Sequence, residues 1–254
     1  MDVNAKKILT DLKARKYAPV YFLQGEETYY IDLISDFIQE HVLTEAEKGF
    51  NQVVVYGKDV TMATILTHAR RFPMMADRQV VIVKEAQDIQ DLNKEGGAKL
   101  LLDYLQKPVP STLLVFGHKN KSLDKRKELG KKIDQLTVAL TTKKMYDNQL
   151  PEFIQEYVRE RKVAAADQGI QALCEYVGND LHRLANEIDK VIISLEPGEP
   201  ITAEKVMSQV GVSKEYNIFE LQKAILAKDM LLANKIVNYF ERNTKKNPII
   251  PVVA

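Results

Sequence analysis

The sequence predicts an α/β fold in which a parallel sheet carries helices on both faces and is followed by a purely helical stretch. Five short apolar runs, around residues 20–23, 53–56, 80–83, 112–116 and 137–142, alternate with helical patterns. Strands that are apolar throughout are buried on both faces, as in parallel sheets. From about residue 143 no further strand pattern occurs. The composition is that of a globular chain: 254 residues, 45% hydrophobic and 28% charged. A chain of this size builds a core without disulfides or metals.

Taken in order, Val3, Ile8, Leu9 and Leu12 mark a helix over residues 3–16, with Asp2 and Asn4 as caps and Pro19 as its stop. Val20-Tyr21-Phe22-Leu23 reads as a buried strand, and Gly25 turns the chain. Leu33, Ile34, Phe37 and Ile38 form one face of a second helix. Val53-Val54-Val55-Tyr56 reads as another buried strand, closed by Gly57. A helix through Ile65, Leu66 and Ala69 stops at Pro73, and Val80-Val81-Ile82-Val83 is the third strand. A helix over 99–105 ends at Pro108, and the fourth strand covers 112–116. After the charged stretch 119–132 comes the fifth, over 137–142.

The rest reads as helices. Pro151 opens one, where its missing N–H does no harm; it carries Phe153, Ile154, Tyr157 and Val158. A second covers 170–177 and ends at Gly178-Asn179. A third begins at Asp180, carries Leu181, Leu184, Ile188, Val191 and Ile192, and breaks at Pro197-Gly198. Thr202 caps a short one without a complete capping box, and two more fit within 218–240. The apolar ending NPIIPVVA has no helical partner, which suggests a cut inside a further helical domain.

A net charge of +1 makes any basic surface a local matter. The single cysteine, Cys174, falls in an apolar helical pattern and reads as a buried small hydrophobe in a reducing compartment. The charged N-terminus is unlike a secretory signal, and no apolar run reaches 18 residues, so a cytoplasmic location is expected.

The first strand, glycine and helix invite comparison with a phosphate-binding loop, which needs G-x-x-x-x-G-K-[ST]. The segment here is Gly25-Glu26-Glu27-Thr28-Tyr29-Tyr30, without the second glycine, the lysine or the following hydroxyl. Two glutamates at a helix start complement its dipole themselves and repel a phosphate. The third strand ends Val83-Lys84-Glu85-Ala86, with Lys84 where an ATPase presents a metal-binding acid. An ATPase scaffold without its chemistry is expected. The 4 histidines (His41, His68, His118, His182) are scattered, without ligands at metal spacing or a nucleophile elbow.

The densest basic run, Lys119, Lys121, Lys125, Arg126 and Lys127, is a candidate DNA-backbone contact at the carboxyl end of the sheet. Asp124 and Glu128 dilute it, and a solvated helix face is the plainer explanation. In Arg70-Arg71-Phe72-Pro73-Met74-Met75-Ala76-Asp77-Arg78-Gln79, two adaptable methionines sit in a short connection. They suit a partner's pocket, though packing at a helix end explains them as well.

Together these residues resemble the δ-subunit family of the bacterial DNA polymerase III clamp loader. The resemblance rests on Tyr21-Phe22-Leu23-Gln24-Gly25-Glu26-Glu27, on Pro73-Met74-Met75-Ala76-Asp77-Arg78-Gln79, and on Leu123-Asp124-Lys125-Arg126-Lys127. Its most specific part is Val177-Gly178-Asn179-Asp180-Leu181-His182-Arg183-Leu184-Ala185-Asn186-Glu187, and Asn217-Ile218-Phe219-Glu220-Leu221 adds to it. It implies an AAA+-like α/β domain over 1–142, a small all-α lid domain over 143–211 and the beginning of a helical collar domain over 212–254. It implies no catalysis by this chain and no cofactor; the nucleotidyltransferase activity of the whole assembly lies elsewhere.

The implied work is binding the β sliding clamp through an apolar wedge and opening the ring for loading onto primed DNA. Met74 and Met75, flanked by Phe72 and Pro73, would be that wedge, in place of the more usual Leu and Phe. Partners would be the clamp, the γ/τ and δ′ loader subunits and primed DNA, with no membrane. Arg183 falls where active relatives place a nucleotide-sensing arginine. The alternatives are an active ATPase of the same fold and a stand-alone DNA-binding module.

Overall fold

The computed structural model describes residues 2–210, 216 and 218–242 and divides into two units, 1–145 and 146–254. In the first, α1 (Val3–Lys13), β1 (Val20–Gly25), α2 (Thr28–His41), α3 (Glu45–Asn51) and β2 (Gln52–Tyr56) lead to α4 (Met62–Ala69) and β3 (Gln79–Lys84). Then follow α5 (Glu95–Gln106), β4 (Thr112–Lys119), α6 (Glu128–Leu136) and β5 (Val138–Thr142). All five strands are parallel, in the order β2-β3-β4-β1-β5. This is the α/β parallel sheet that the strand–helix alternation predicts.

Register explains the core. Val20 pairs with Leu114 and Phe22 with Phe116, while Val81 and Val83 on β3 meet the same two β4 residues. These side chains share one face and pack with Ile65, Leu101 and Ile133 of α4, α5 and α6. The opposite face lies under α2. A methyl group on Gly117 would reach Ile31 Cγ2 at 3.4 Å.

Several details depart from the sequence reading. Pro19 does not end α1. The helix stops at Lys13, and Arg15 (φ 57°) turns left-handed just beyond it. Asp2 is the cap, accepting from the N–H groups of Asn4 and Ala5; Val3 is exposed rather than part of the apolar face. Leu33 and Phe37 are only half-buried. Strand β2 is not buried, because it is the sheet's edge and has one paired neighbour, β3. Pro73 does not stop α4, which ends at Ala69 with Arg70 as its cap. Helices α3 and α6 were not foreseen: α3 has a single buried residue, and α6 begins within the charged stretch.

The second unit contains α7 (Leu150–Glu160), α8 (Asp167–Val177), α9 (Leu181–Ile193), α10 (Ala203–Gln209), α11 (Ile218–Leu226) and α12 (Met230–Arg242). Pro151 stands in the first turn of α7. Gly178, at φ 81°, closes α8, and Asp180 caps α9 by accepting from the Arg183 N–H. Thr202 caps α10 by accepting from the Lys205 N–H. The last two helices meet through Leu221, Ala224, Ala233, Ile236 and Phe240. Cys174 is half-buried rather than buried, since its side of α8 is incompletely covered. Gly211, Asn217 and the apolar ending 247–254 lie outside the described residues.

Candidate functional site

The carboxyl ends of β1, β3 and β4 bring Gly25-Glu26-Glu27, Lys84-Glu85 and His118-Lys119 to one edge of the sheet, where open α/β folds hold ligands. The backbone groups there are already engaged. The N–H of Gly25 donates to Lys121 O (3.1 Å) and that of Glu26 to Thr142 O (3.2 Å). A phosphate cradle needs such N–H groups free. Gly25, at φ 131°, has Thr142 O at 2.1 Å from where a Cβ would stand, so only glycine fits against β5. Glu27 is buried at the start of α2, and its carboxylate accepts from the Tyr29 N–H at 3.2 Å.

Where a bound cation would neutralise acids in an ATPase, Lys119 does so here. Its Nζ lies 2.8 Å from Asp32 Oδ1 and 3.1 Å from Glu85 Oε1. Glu85 takes a left-handed backbone (φ 53°) and accepts from Gln87 Nε2 at 2.6 Å. Partial burial works against its charge, but the bonds from Gln87 and Lys119 outweigh it and hold the carboxyl below its ordinary value. Burial likewise opposes the charge on Lys119; Asp32 and Glu85 outweigh it and raise that amine. Lys84 Nζ meets Asp36 Oδ1 at 3.4 Å.

The basic run does not form one free patch. Besides Lys119, Lys125 pairs with Asp134 (2.8 Å) and Arg126 with Asp124 (2.9 Å). Lys121 and Lys127 are exposed and carry no ion pair among the described residues. No group of three or more His, Cys, Asp and Glu able to hold a metal occurs among the described residues. None of their helices is long and apolar enough to cross a membrane.

The connection from α4 to β3 lies at the opposite, amino-terminal edge of the sheet. Its apolar side chains point into solvent: Phe72 is 81% exposed, Met74 60% and Met75 102%, while Pro73 is half-buried. The packing explanation for the methionines therefore fails. The loop is nonetheless anchored at both ends. Gln79 is buried, and its side-chain amide donates to Arg71 O (2.6 Å), His68 O (3.2 Å), Ala69 O (3.3 Å) and Thr112 Oγ1 (2.7 Å). One amide thus reaches the carbonyls at the end of α4, of which His68 O also accepts from the Arg71 N–H and Ala69 O from the Thr112 hydroxyl. The Arg78 guanidinium stands over the Tyr17 ring, 5.2 Å from its centroid.

Sequence reasoning missed the third anchor, Asn51. It is 3% exposed at the end of α3; its Oδ1 accepts from the Met74 N–H (2.6 Å) and its Nδ2 donates to Met74 O (2.9 Å). Phe50 beside it is 75% exposed. The available signal was Thr44-Glu45-Ala46-Glu47, a capping box that announces α3.

The chain is similar to known proteins over most of its length. The family model described as "DNA polymerase III, delta subunit" matches residues 21–143, which include both edges of the sheet. The DNA polymerase III subunit delta of Bacillus subtilis (strain 168) is 28% identical over 231 residues, 89% of this chain and 63% of that protein. The chain thus spans less than two thirds of the length of this curated relative. A solved structure of the Bacillus subtilis DNA clamp loader delta protein superposes with a TM-score of 0.71 at 25% identity, covering 94% of this chain and 72% of that one. By sequence and by fold, the chain is similar to DNA polymerase III delta subunits.

Proposed function

We propose that this chain binds the β sliding clamp through Phe72, Pro73, Met74 and Met75 and opens the ring for loading onto primed DNA. The observation that carries the reading is the exposure of three large apolar side chains on one anchored loop. Exposed apolar surface of this kind marks a site for a partner. Insertion of such a wedge beside a ring interface replaces ring contacts with wedge contacts and so favours the open ring.

We further propose that the chain itself is non-catalytic and takes no nucleotide. The engaged N–H groups of Gly25 and Glu26, the buried Glu27 and the Lys119 bridge support this. In the full-length protein its further partners would be the γ/τ and δ′ subunits of a cytoplasmic loader, and this chain divides into domains over 1–142, 143–211 and 212–254. Lys121 and Lys127 are the best-placed of the basic residues for a DNA backbone, a secondary contact at most.

The test is capture of purified clamp by this chain at moderate salt with no DNA present. Saturable capture is expected. No capture, together with steeply salt-dependent DNA binding, would favour a DNA-binding module instead.

A further inference from the structure

Helix α3 is odd as a structural element. It has seven residues and a complete capping box, with the Thr44 N–H donating to Glu47 Oε2 at 2.8 Å, yet it buries no apolar side chain. Its single buried residue is Asn51, and two of that amide's three hydrogen bonds leave the helix for the loop that carries Met74. Oδ1 accepts from the Met74 N–H at 2.6 Å, while Nδ2 donates to Met74 O at 2.9 Å and to Glu47 O at 3.1 Å. The amide therefore treats Met74 as a neighbouring strand would, satisfying both its backbone groups. Met75 follows immediately at φ 53°. A bulky residue adopts that left-handed conformation only when its surroundings hold it there. The result is a Met75 side chain standing wholly in solvent, 102% exposed.

We infer that Asn51 is a positioning residue for the clamp-binding wedge: it holds Met74 by its backbone and so keeps Met75 thrust outward before any partner arrives. This deepens the clamp reading above and rests on it. A loop already in its bound shape loses less freedom on docking, and affinity rises without any contact from Asn51 itself. The other anchors, Gln79 and the Arg78–Tyr17 stack, hold the far side of the loop, so the Met74–Met75 corner depends on Asn51.

The test is a double-mutant cycle on the whole chain, read by affinity for purified clamp alongside thermal unfolding. Asn51→Ala is expected to weaken clamp binding about tenfold. In a Met75→Ser background the same change is expected to have little further effect, because the side chain it positions is gone. General destabilisation would instead weaken both backgrounds equally, and that result overturns the inference. Asn51→Asp covers the case in which alanine leaves the fold unstable. It has the same size and still accepts from the Met74 N–H, but it cannot donate to Met74 O or Glu47 O, so a loss of about threefold is expected. If the unaltered chain binds clamp and both Asn51 variants match it, Asn51 does not position the wedge. If the unaltered chain does not bind at all, the clamp reading fails and this inference falls with it.

Discussion

Lys119 Nζ stands 3.1 Å from Glu85 Oε1 and at the same time 2.8 Å from Asp32 Oδ1, so one amine from the end of β4 ties the residue after β3 to helix α2. Replacing it with alanine leaves two carboxylates facing each other in a partly covered site. The expected loss is about 1–2 kcal/mol, discounted for the solvent that reaches all three groups. Thermal unfolding should fall by a few degrees. The raised Lys119 amine adds stability below its unfolded value of 10.5, and this is lost as pH rises through the folded value. The lowered Glu85 carboxyl adds stability above 4.5, lost as pH falls through its folded value. The bridge is therefore intact at neutral pH. Titration with labelled ATP and Mg²⁺ is expected to show no binding by either form; saturable micromolar binding would refute the proposed loss of the nucleotide site.

Gln79 gives a second prediction. Its amide serves three main-chain carbonyls at the end of α4 and the Thr112 hydroxyl, all within 3.3 Å. Leucine has similar bulk but no donor, so Gln79→Leu leaves Arg71 O without its partner, while His68 O keeps the Arg71 N–H and Ala69 O keeps the Thr112 hydroxyl. A loss of about 1–3 kcal/mol is expected, read as a shift of the denaturant midpoint at unchanged slope. An unaltered midpoint would mean that water replaces the amide.

The pH dependence between 7 and 5 should come largely from His118. It is buried beside Phe22, with ring centroids 6.0 Å apart, and its Nδ1 faces Lys121 O at 2.9 Å. Burial pushes the ring's pKa below 6.5; the Lys121 carbonyl bond and Asp88 oppose this without cancelling it. With the folded value depressed, the unfolded chain takes up the proton first, so stability falls as pH drops through 6.5 and levels off below the folded value. Glu85, held below 4.5, gives up its stabilisation mainly below that window. His118→Gln should flatten the curve of melting temperature against pH from 7 to 5. A curve of unchanged slope would assign the dependence elsewhere.

Much of the fold was legible because buried strands and amphipathic helices leave periodic traces; β1, β3 and β4 are continuous apolar runs since helices cover both their faces. The same reasoning misjudged β2, because three valines and a tyrosine look alike at an edge and at a centre, and only strand order separates them. Prolines misled at two helix ends. Pro19 and Pro73 lie beyond helices that Arg15 and Arg70 had already closed. At the carboxyl edge, the missing phosphate-loop residues were visible as letters, but the Lys119 bridge was not, since Asp32, Glu85 and Lys119 are far apart in sequence. Met74 and Met75 stood out by type. Their exposure, and the hold of Asn51 on them, needed the fold, because a buried asparagine leaves no pattern of its own.

The proposed wedge yields the most discriminating measurement. Met74 and Met75 together present a surface whose burial in a partner pocket contributes roughly 1.5–3 kcal/mol for each side chain. Replacing both with serine is therefore expected to weaken clamp binding by about 3–6 kcal/mol, on the order of a hundredfold or more. Met75 is wholly exposed in the free chain and Met74 60% exposed, so the fold loses little burial when they shorten. Methionines packed in a core would behave differently, each costing about 2–5 kcal/mol of stability when truncated. Clamp affinity and thermal unfolding measured on the one double variant separate these cases. The expected outcome is a large loss of affinity with a nearly unchanged melting temperature. Retained affinity would overturn the wedge assignment, and a collapsed melting temperature would mean that the loop packs inward in solution.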